Sequence, residues 1–209
     1  MKLIAEHICK SIKGREILRD VSMELTQGNI YGIVGRNGSG KTMLFRALSG
    51  LMKIDSGSVR LDEKLLHKDF PVLPSMGIVL ENAGLYPELT GFENLKYLAG
   101  VRKSIGDAEI NEAIERVGLN PKDKRTFRKY SLGMKQRIVI AQAIMEKPDV
   151  IFLDEPTNGL DEDGVTLIRG VISEEKERGA LILLASHNSD DIRLLSDTVY
   201  TMAEGLLSS

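Results

Sequence analysis

Apolar residues fall along this chain in three distinct rhythms. Near the N-terminus the rhythm is two. Val21, Met23 and Leu25 alternate with Ser22, Glu24 and Thr26, and Val59 and Leu61 alternate with Arg60 and Asp62, as in strands with one face buried. Lys13-Gly14, Gln27-Gly28-Asn29 and Asp55-Ser56-Gly57 punctuate these segments as turns. In the middle the rhythm changes to that of helices. Thr90-Gly91-Phe92-Glu93 is a capping box, Ile110, Ala113, Ile114 and Val117 form a stripe that Gly118 ends, and Ile138, Ala141, Ile144 and Met145 form another that stops before Pro148. The third rhythm has no alternation. Ile30-Tyr31-Gly32-Ile33-Val34, Met76 to Leu80, Val150-Ile151-Phe152-Leu153 and Leu181-Ile182-Leu183-Leu184 are short, nearly unbroken apolar runs, as expected of parallel strands covered on both faces. An amphipathic helix carrying Val165, Ile168, Val171 and Ile172 lies between the last two, and Thr198 to Met202 reads as a final strand.

The pattern predicts an α/β protein with an antiparallel β N-terminal portion and an inserted helical subdomain. Residues 1–80 and 148–209 would form the core and residues 81–147 the insert, with 64–75 a connection carrying Pro71 and Pro74. In such a fold the ligand site lies at the carboxyl ends of the strands.

The segment after the first apolar run gives that site its chemistry. Gly35-Arg36-Asn37-Gly38-Ser39-Gly40-Lys41-Thr42 meets every fixed position of G-x-x-x-x-G-K-[ST] between a strand and a helix start. Gly35, Gly38 and Gly40 let successive N–H groups converge on an anion, and the helix N-terminus adds positive potential. Lys41 is placed against the β- and γ-phosphates of a nucleotide, and the Thr42 hydroxyl is a ligand for Mg²⁺.

A second cluster ends the strand Val150–Leu153. Asp154 and Glu155 put two carboxylates where burial is costly unless cations meet them. Two like charges about 4 Å apart repel by about 4 kcal/mol at an effective dielectric near 20. Beside a triphosphate they require a metal, so Asp154 is a Mg²⁺ ligand opposite Thr42. Glu155 faces the γ-phosphate as general base. His187 follows another core strand onto the same edge and can orient Glu155.

Together these motifs resemble the ATP-binding subunit of an ATP-binding-cassette (ABC) transporter over essentially the full length. Gly35–Thr42 resembles the Walker A loop and Val150–Glu155 the Walker B strand. Asn158-Gly159-Leu160-Asp161 resembles the D-loop and Ser186-His187 the switch-histidine loop. Tyr130-Ser131-Leu132-Gly133-Met134-Lys135-Gln136-Arg137 resembles the family signature. The resemblance implies a P-loop NTPase (RecA-like) core and Mg²⁺-dependent hydrolysis of ATP, with Glu155, His187 and Lys41 as the catalytic set. It also implies a head-to-tail homodimer in which Ser131 and Gly133 of one subunit, with Asp161, close on nucleotide held by the other. A transmembrane permease subunit is the implied partner, reached partly through segment 82–90 with an exposed Leu85 and Tyr86. The chain would then sit in the cytoplasm, peripheral to the cell membrane.

The sequence departs from the family pattern in three places. Leu132 and Met134 replace the usual glycine and glutamine of the signature. Glu81 stands where a glutamine usually ligates the metal. Ile12 occupies the position of the aromatic residue that stacks on adenine. Glu81 and this form of signature are similar to bacterial exporter ATPases of the bacitracin-resistance and lantibiotic-immunity type.

Composition adds bounds. Of 209 residues 42% are apolar and 28% charged, and the net charge of −2 gives no bulk pull toward nucleic acid. The single Cys9 excludes an internal disulfide. No apolar run approaches the roughly 18 residues of a membrane span, and the N-terminus lacks a signal-peptide core. The end of the sequence soon after the last strand leads to the expectation of no regulatory domain of the kind some importer ATPases carry. A soluble ABC-family ATPase acting in assembly or repair is the other compatible class. It is disfavoured because the chain has neither a long coiled-coil insert nor a tandem duplication.

Overall fold

The computed structural model describes residues 1–80 and 84–208. β1 (Lys2–Ile12) and β2 (Arg15–Thr26) form a hairpin. Its two turn residues, Lys13 and Gly14, both have positive φ (50° and 79°), so the turn's twist matches that of the strands. β4 (Ser56–Leu61) pairs antiparallel with β1, and β5 (Lys64–Leu65) pairs with β4, giving a sheet of order β2-β1-β4-β5. Asp55-Ser56-Gly57, expected as a turn, is already entering β4. Gly57 takes φ 85° there, and a Cβ would lie 2.4 Å from the His7 carbonyl oxygen, so the missing side chain lets β4 close on an irregular stretch of β1.

The second sheet runs β10-β9-β3-β8-β7-β6. β3 (Ile30–Val34), β6 (Met76–Val79), β7 (Val150–Asp154), β8 (Leu181–Ala185) and β9 (Thr198–Ala203) are parallel, and β10 (Leu206–Ser208) is antiparallel to β9. The helices are α1 (Lys41–Ser49), α2 (Gly91–Arg102), α3 (Asp107–Arg116), α4 (Leu132–Ile144), α5 (Glu162–Glu177) and α6 (Ser189–Leu195), with a short 3-10 turn at Phe127–Lys129.

The unbroken apolar runs divide between two cores. Val150 and Phe152 of β7, with Leu181, Leu183 and Ala185 of β8, face α1 and the first sheet; there Leu44, Phe45 and Leu48 meet Leu3, Ile8, Leu18 and Val21. Ile151 and Leu153, with Ile182 and Leu184, face the other way, onto Ile138 and Ile144 of α4 and Ile168 and Ile172 of α5. Both faces are therefore dry, which is why neither strand alternates. α2, α3 and α4 follow β6 in the chain. α2 starts with the expected box: Thr90 Oγ1 accepts from Glu93 N, and Glu93 Oε2 from Thr90 N. α4 lies so close to β6 that a Cβ on Gly77 would come within 1.9 Å of the Ala143 carbonyl oxygen.

Strand order positions the chemistry. β8 lies between β3 and β7, so the loop after β8 emerges between the glycine-rich loop after β3 and the carboxylates after β7. β5, α6 and β10 have no counterpart in the sequence reading.

Candidate active site

The Gly35–Thr42 loop closes around its own lysine. Lys41 is buried, and its Nζ donates to Gly35 O at 2.7 Å and Arg36 O at 3.2 Å. α1 begins at Lys41 behind Gly40, whose φ of 114° only glycine adopts freely. No side chain caps the helix, so its first N–H groups face the loop mouth. A Cβ on Gly40 would sit 2.9 Å from Ile17 O, and Ser39 Oγ is buried with no hydrogen-bond partner among the described residues. An anion-shaped hollow of backbone donors, a buried ammonium and an orphaned hydroxyl fits the phosphates of a nucleotide.

The Thr42 hydroxyl donates to Asp154 Oδ2. The hydroxyl and the carboxylate thus converge across the ends of β3 and β7 as an all-oxygen pair, which suits Mg²⁺, an ion that keeps waters and needs few protein ligands. Glu81, the third expected ligand, lies outside the described residues.

Glu155 leaves β7 in the left-handed region, with φ 52°, at a cost of about 1–3 kcal/mol for a residue with a side chain. Its N–H donates to Ala185 O at 2.8 Å. On the side chain, Oε2 accepts from His187 N at 3.1 Å. Oε1 is buried without a hydrogen bond among the described residues, 3.4 Å from His187 Nε2. Burial pushes the Glu155 carboxyl above the usual carboxylate range. The His187 N–H and ring and the Lys41 charge pull it back, and Asp154 adds to the rise. His187 Nε2 donates to Asn37 Oδ1 at 2.5 Å, so the imidazole ties the glycine-rich loop to Glu155.

These groups share one cleft of about 540 Å³, lined by Asn37, Gly38, Gly40, Lys41, Thr42 and Met43, by Asp154, Glu155 and His187, and by Arg15 and Ile17 of β2. Ile12 is not part of that wall; it is 40% exposed at the end of β1. Arg15 and Ile17 went unnoticed in the sequence because their place beside the loop depends on how the hairpin packs.

A family model described as ABC transporter matches residues 18–158. The chain belongs to the ABC transporter family. Among curated relatives, this ABC chain is 45% identical to an uncharacterized ABC transporter ATP-binding protein, YybJ, of Bacillus subtilis, over 97% of this chain and 93% of that one. It is 37% identical to the bacitracin transport ATP-binding protein BcrA of Enterococcus faecalis, covering 97% of this chain and 66% of BcrA. It is 33% identical to the lantibiotic transport ATP-binding protein SrtF of Streptococcus pyogenes, covering 96% and 86%. Its fold matches an ATP-binding subunit of an ABC transporter (TM-score 0.88, 24% identity, covering 100% of this chain and 89% of that one). It also matches a dimeric bacterial ABC transporter cassette (TM-score 0.87, 21% identity, covering 99% and 97%). The P-loop NTPase architecture expected of an ABC cassette is therefore the one observed.

The remaining expected residues of the ABC chain lie outside the cleft. Ser131 caps α4, its Oγ accepting from Met134 N at 3.2 Å, and Gly133 follows in the first turn. Asp161 caps α5, accepting from Gly164 N at 3.0 Å, and pairs with Arg137 at 3.2 Å. Both caps are on exposed surface. Leu85, expected to be exposed, is buried against the α2–α4 core, because the segment turns inward where Asn94 holds Tyr86 N and O (2.7 and 3.0 Å). Tyr86 remains exposed. Its ring stands edge-on to Tyr97 at 5.1 Å, beside the exposed Val101.

One group that no motif marked is Asp191 of α6. Fully buried, it accepts from Thr157 Oγ1 (2.5 Å), Ser186 Oγ (2.9 Å) and Arg169 Nη2 (2.6 Å). It thereby joins the turn after Glu155 to the residue before His187. Arg169→Met leaves this carboxylate without its cation. Because the guanidinium is 21% exposed, the expected loss of stability is about 2–3 kcal/mol, below that of a fully buried pair. A lowered urea midpoint at unchanged slope checks it.

Proposed function

We propose that this chain is the ATP-binding and ATP-hydrolysing motor subunit of a bacterial membrane exporter. The observation that carries the reading is one cleft holding Lys41, the Thr42–Asp154 pair and the Glu155–His187 pair. When bound, ATP supplies the phosphoryl group and Mg²⁺ offsets its charge. Gly35, Asn37, Gly38, Ser39, Gly40 and Lys41 would bind the phosphates, Ile12 is the candidate contact for the base, and Thr42, Asp154 and Glu81 would hold the metal. Glu155, whose Oε1 makes no hydrogen bond among the described residues, takes a proton from the attacking water. His187 keeps that carboxylate in place from the side of the loop. Ser131, Gly133 and Asp161 act on the nucleotide of a second copy, making the working unit a homodimer. Residues 1–80 and 148–209 are the ATP-binding core and 81–147 the helical subdomain of one nucleotide-binding domain.

No helix among the described residues is long and apolar enough to cross a membrane, and in this reading a separate permease subunit supplies the transmembrane path. The exposed Tyr86, Tyr97 and Val101 offer that partner an apolar surface on the helical side. Attachment there places the chain at the cytoplasmic face of the membrane. The relatives named for bacitracin and lantibiotic transport support an antimicrobial peptide or drug as cargo. In the experiment, the chain is isolated from native membranes and phosphate release is followed. A multi-span membrane protein is expected to co-purify, and chelation of Mg²⁺ by EDTA is expected to abolish turnover. Turnover that survives chelation, or a preparation free of any membrane protein, rejects the reading.

A further inference from the structure

A left-handed residue at the end of a buried strand keeps its conformation only where its surroundings fix it. On the amide side of Glu155 that anchor is β8. On the carbonyl side Asn158 N donates to Glu155 O at 3.2 Å within the turn, and one side chain spans both peptides: Gln136 Nε2 donates to Glu155 O and to Pro156 O, at 3.1 Å each. A primary amide carries two N–H groups, so a single Gln can bind both successive carbonyls at once. Neither carbonyl continues the β7 ladder, because β7 stops at Asp154.

Gln136 belongs to α4, the helix capped by Ser131, and it does not act alone. The Leu132 side chain lies over Gly159, where an added Cβ would be 2.7 Å from Leu132 Cδ2. A Cβ on Gly133 would lie 3.2 Å from Gly159 O. Arg137 reaches Asp161. Residues 132, 133, 136 and 137 share one helical face, so the first two turns of α4 grip the segment from Glu155 to Asp161. The leucine that departs from the usual signature is part of that grip.

We propose that Gln136 is a positioning residue for Glu155, fixing the peptide planes on either side of Pro156 and so the direction of the carboxylate. The inference rests on Glu155 being the base. Through Gln136, the helix whose N-terminus meets the partner's nucleotide also sets the aim of the base in its own subunit. A shift of α4 on engagement is then felt at the neighbouring hydrolytic site.

The test compares Gln136→Ala, Gln136→Lys and Glu155→Gln in the full chain, by steady-state ATPase kinetics, nucleotide titration and thermal unfolding. Gln136→Ala is expected to lower kcat about tenfold or more at unchanged KM for ATP and unchanged nucleotide affinity. Lys supplies an N–H donor of similar reach, and Gln136→Lys is expected to recover most of the loss. Gln136→Ala turning over at the wild-type rate, while Glu155→Gln does not, rejects the positioning role and leaves the base assignment standing. Equal losses in Gln136→Ala and Gln136→Lys that follow lowered melting temperatures reduce Gln136 to a structural part and also reject it. Full turnover by Glu155→Gln overturns the base reading itself.

Discussion

Glu155→Gln is expected to lower ATP turnover by about two to four orders of magnitude while leaving nucleotide binding intact, the loss typical of a missing general base. The amide keeps the shape of the carboxyl and can still accept from His187 N, but it cannot take a proton from water. With hydrolysis blocked and both faces of the nucleotide engaged, the ATP-bound dimer should accumulate; size-exclusion chromatography with ATP and Mg²⁺ reads it directly, and a species that stays monomeric would falsify the sandwich. Two further measurements follow from the raised pKa of this carboxyl. The acid limb of the wild-type kcat–pH profile should lie above the ordinary carboxylate range, because the base works only when deprotonated. The stability effect has the opposite sign. The folded chain holds this proton more tightly than the unfolded chain does. The group's contribution to stability is thus fully present below the unfolded pKa and is lost as pH rises through the folded pKa. Above its folded pKa the wild type carries a half-buried carboxylate, and glutamine removes that charge. At a pH where this carboxyl is ionised, Glu155→Gln should therefore unfold no earlier than wild type. A dead enzyme that is also less stable would point to disruption of the turn rather than to lost chemistry.

What could be read from the sequence follows from how local each signal is. The glycine-rich loop declares itself because its φ values, its helix start and its lysine lie within eight consecutive residues. The runs 150–153 and 181–184 are legible for a related reason: burial on both faces removes alternation, whatever the neighbours are. Thr90–Glu93 is a reciprocal bond across three residues, and it appears in the structure as the spacing predicts. Signals that need a third element were lost. α6 has seven residues, and only Ile192 and Leu195 of its apolar side chains are buried, too few for a stripe. Asp191 looks like one more surface acid until Thr157, Ser186 and Arg169, from three other segments, surround it. Gln136 stands inside the signature stretch, but its contact with Glu155 O and Pro156 O appears only once α4 packs beside the end of β7. Leu85 was misjudged because its exposure depends on Asn94, eight residues or more away on another element. The same limit explains Gly57: glycine after Asp-Ser ordinarily marks a turn, but here its missing Cβ serves the approach of β4 to His7. Residues that carry chemistry were thus visible as motifs, and the residues that aim them became visible only with the packing.

Lys41→Ala is expected to weaken ATP binding by about 10- to 150-fold, the range equivalent to losing one hydrogen-bonded charge pair of about 1.5–3 kcal/mol. The geometry indicates why the loss should be specific to the charge. The buried ammonium donates to two neutral carbonyls, Gly35 O and Arg36 O, and its charge pulls down the pKa of Glu155. A strongly hydrated cation held this way has unspent affinity for an anion, and the uncapped start of α1 points into the same hollow. The expected order of loss is ATP, then ADP, then AMP with little change, since the side chain serves the distal phosphates and not the sugar or base. Lys41→Arg should rescue poorly, because a planar fork does not replace a compact ammonium between two carbonyls in a buried loop. Isothermal titration across the three nucleotides separates these cases. A uniform loss for all three would mean that the lysine braces the loop through Gly35 and Arg36 and that the phosphate energy comes from the backbone N–H groups. Undiminished ATP binding would remove the phosphate-binding assignment of the loop, and with it the reason for placing a metal between Thr42 and Asp154.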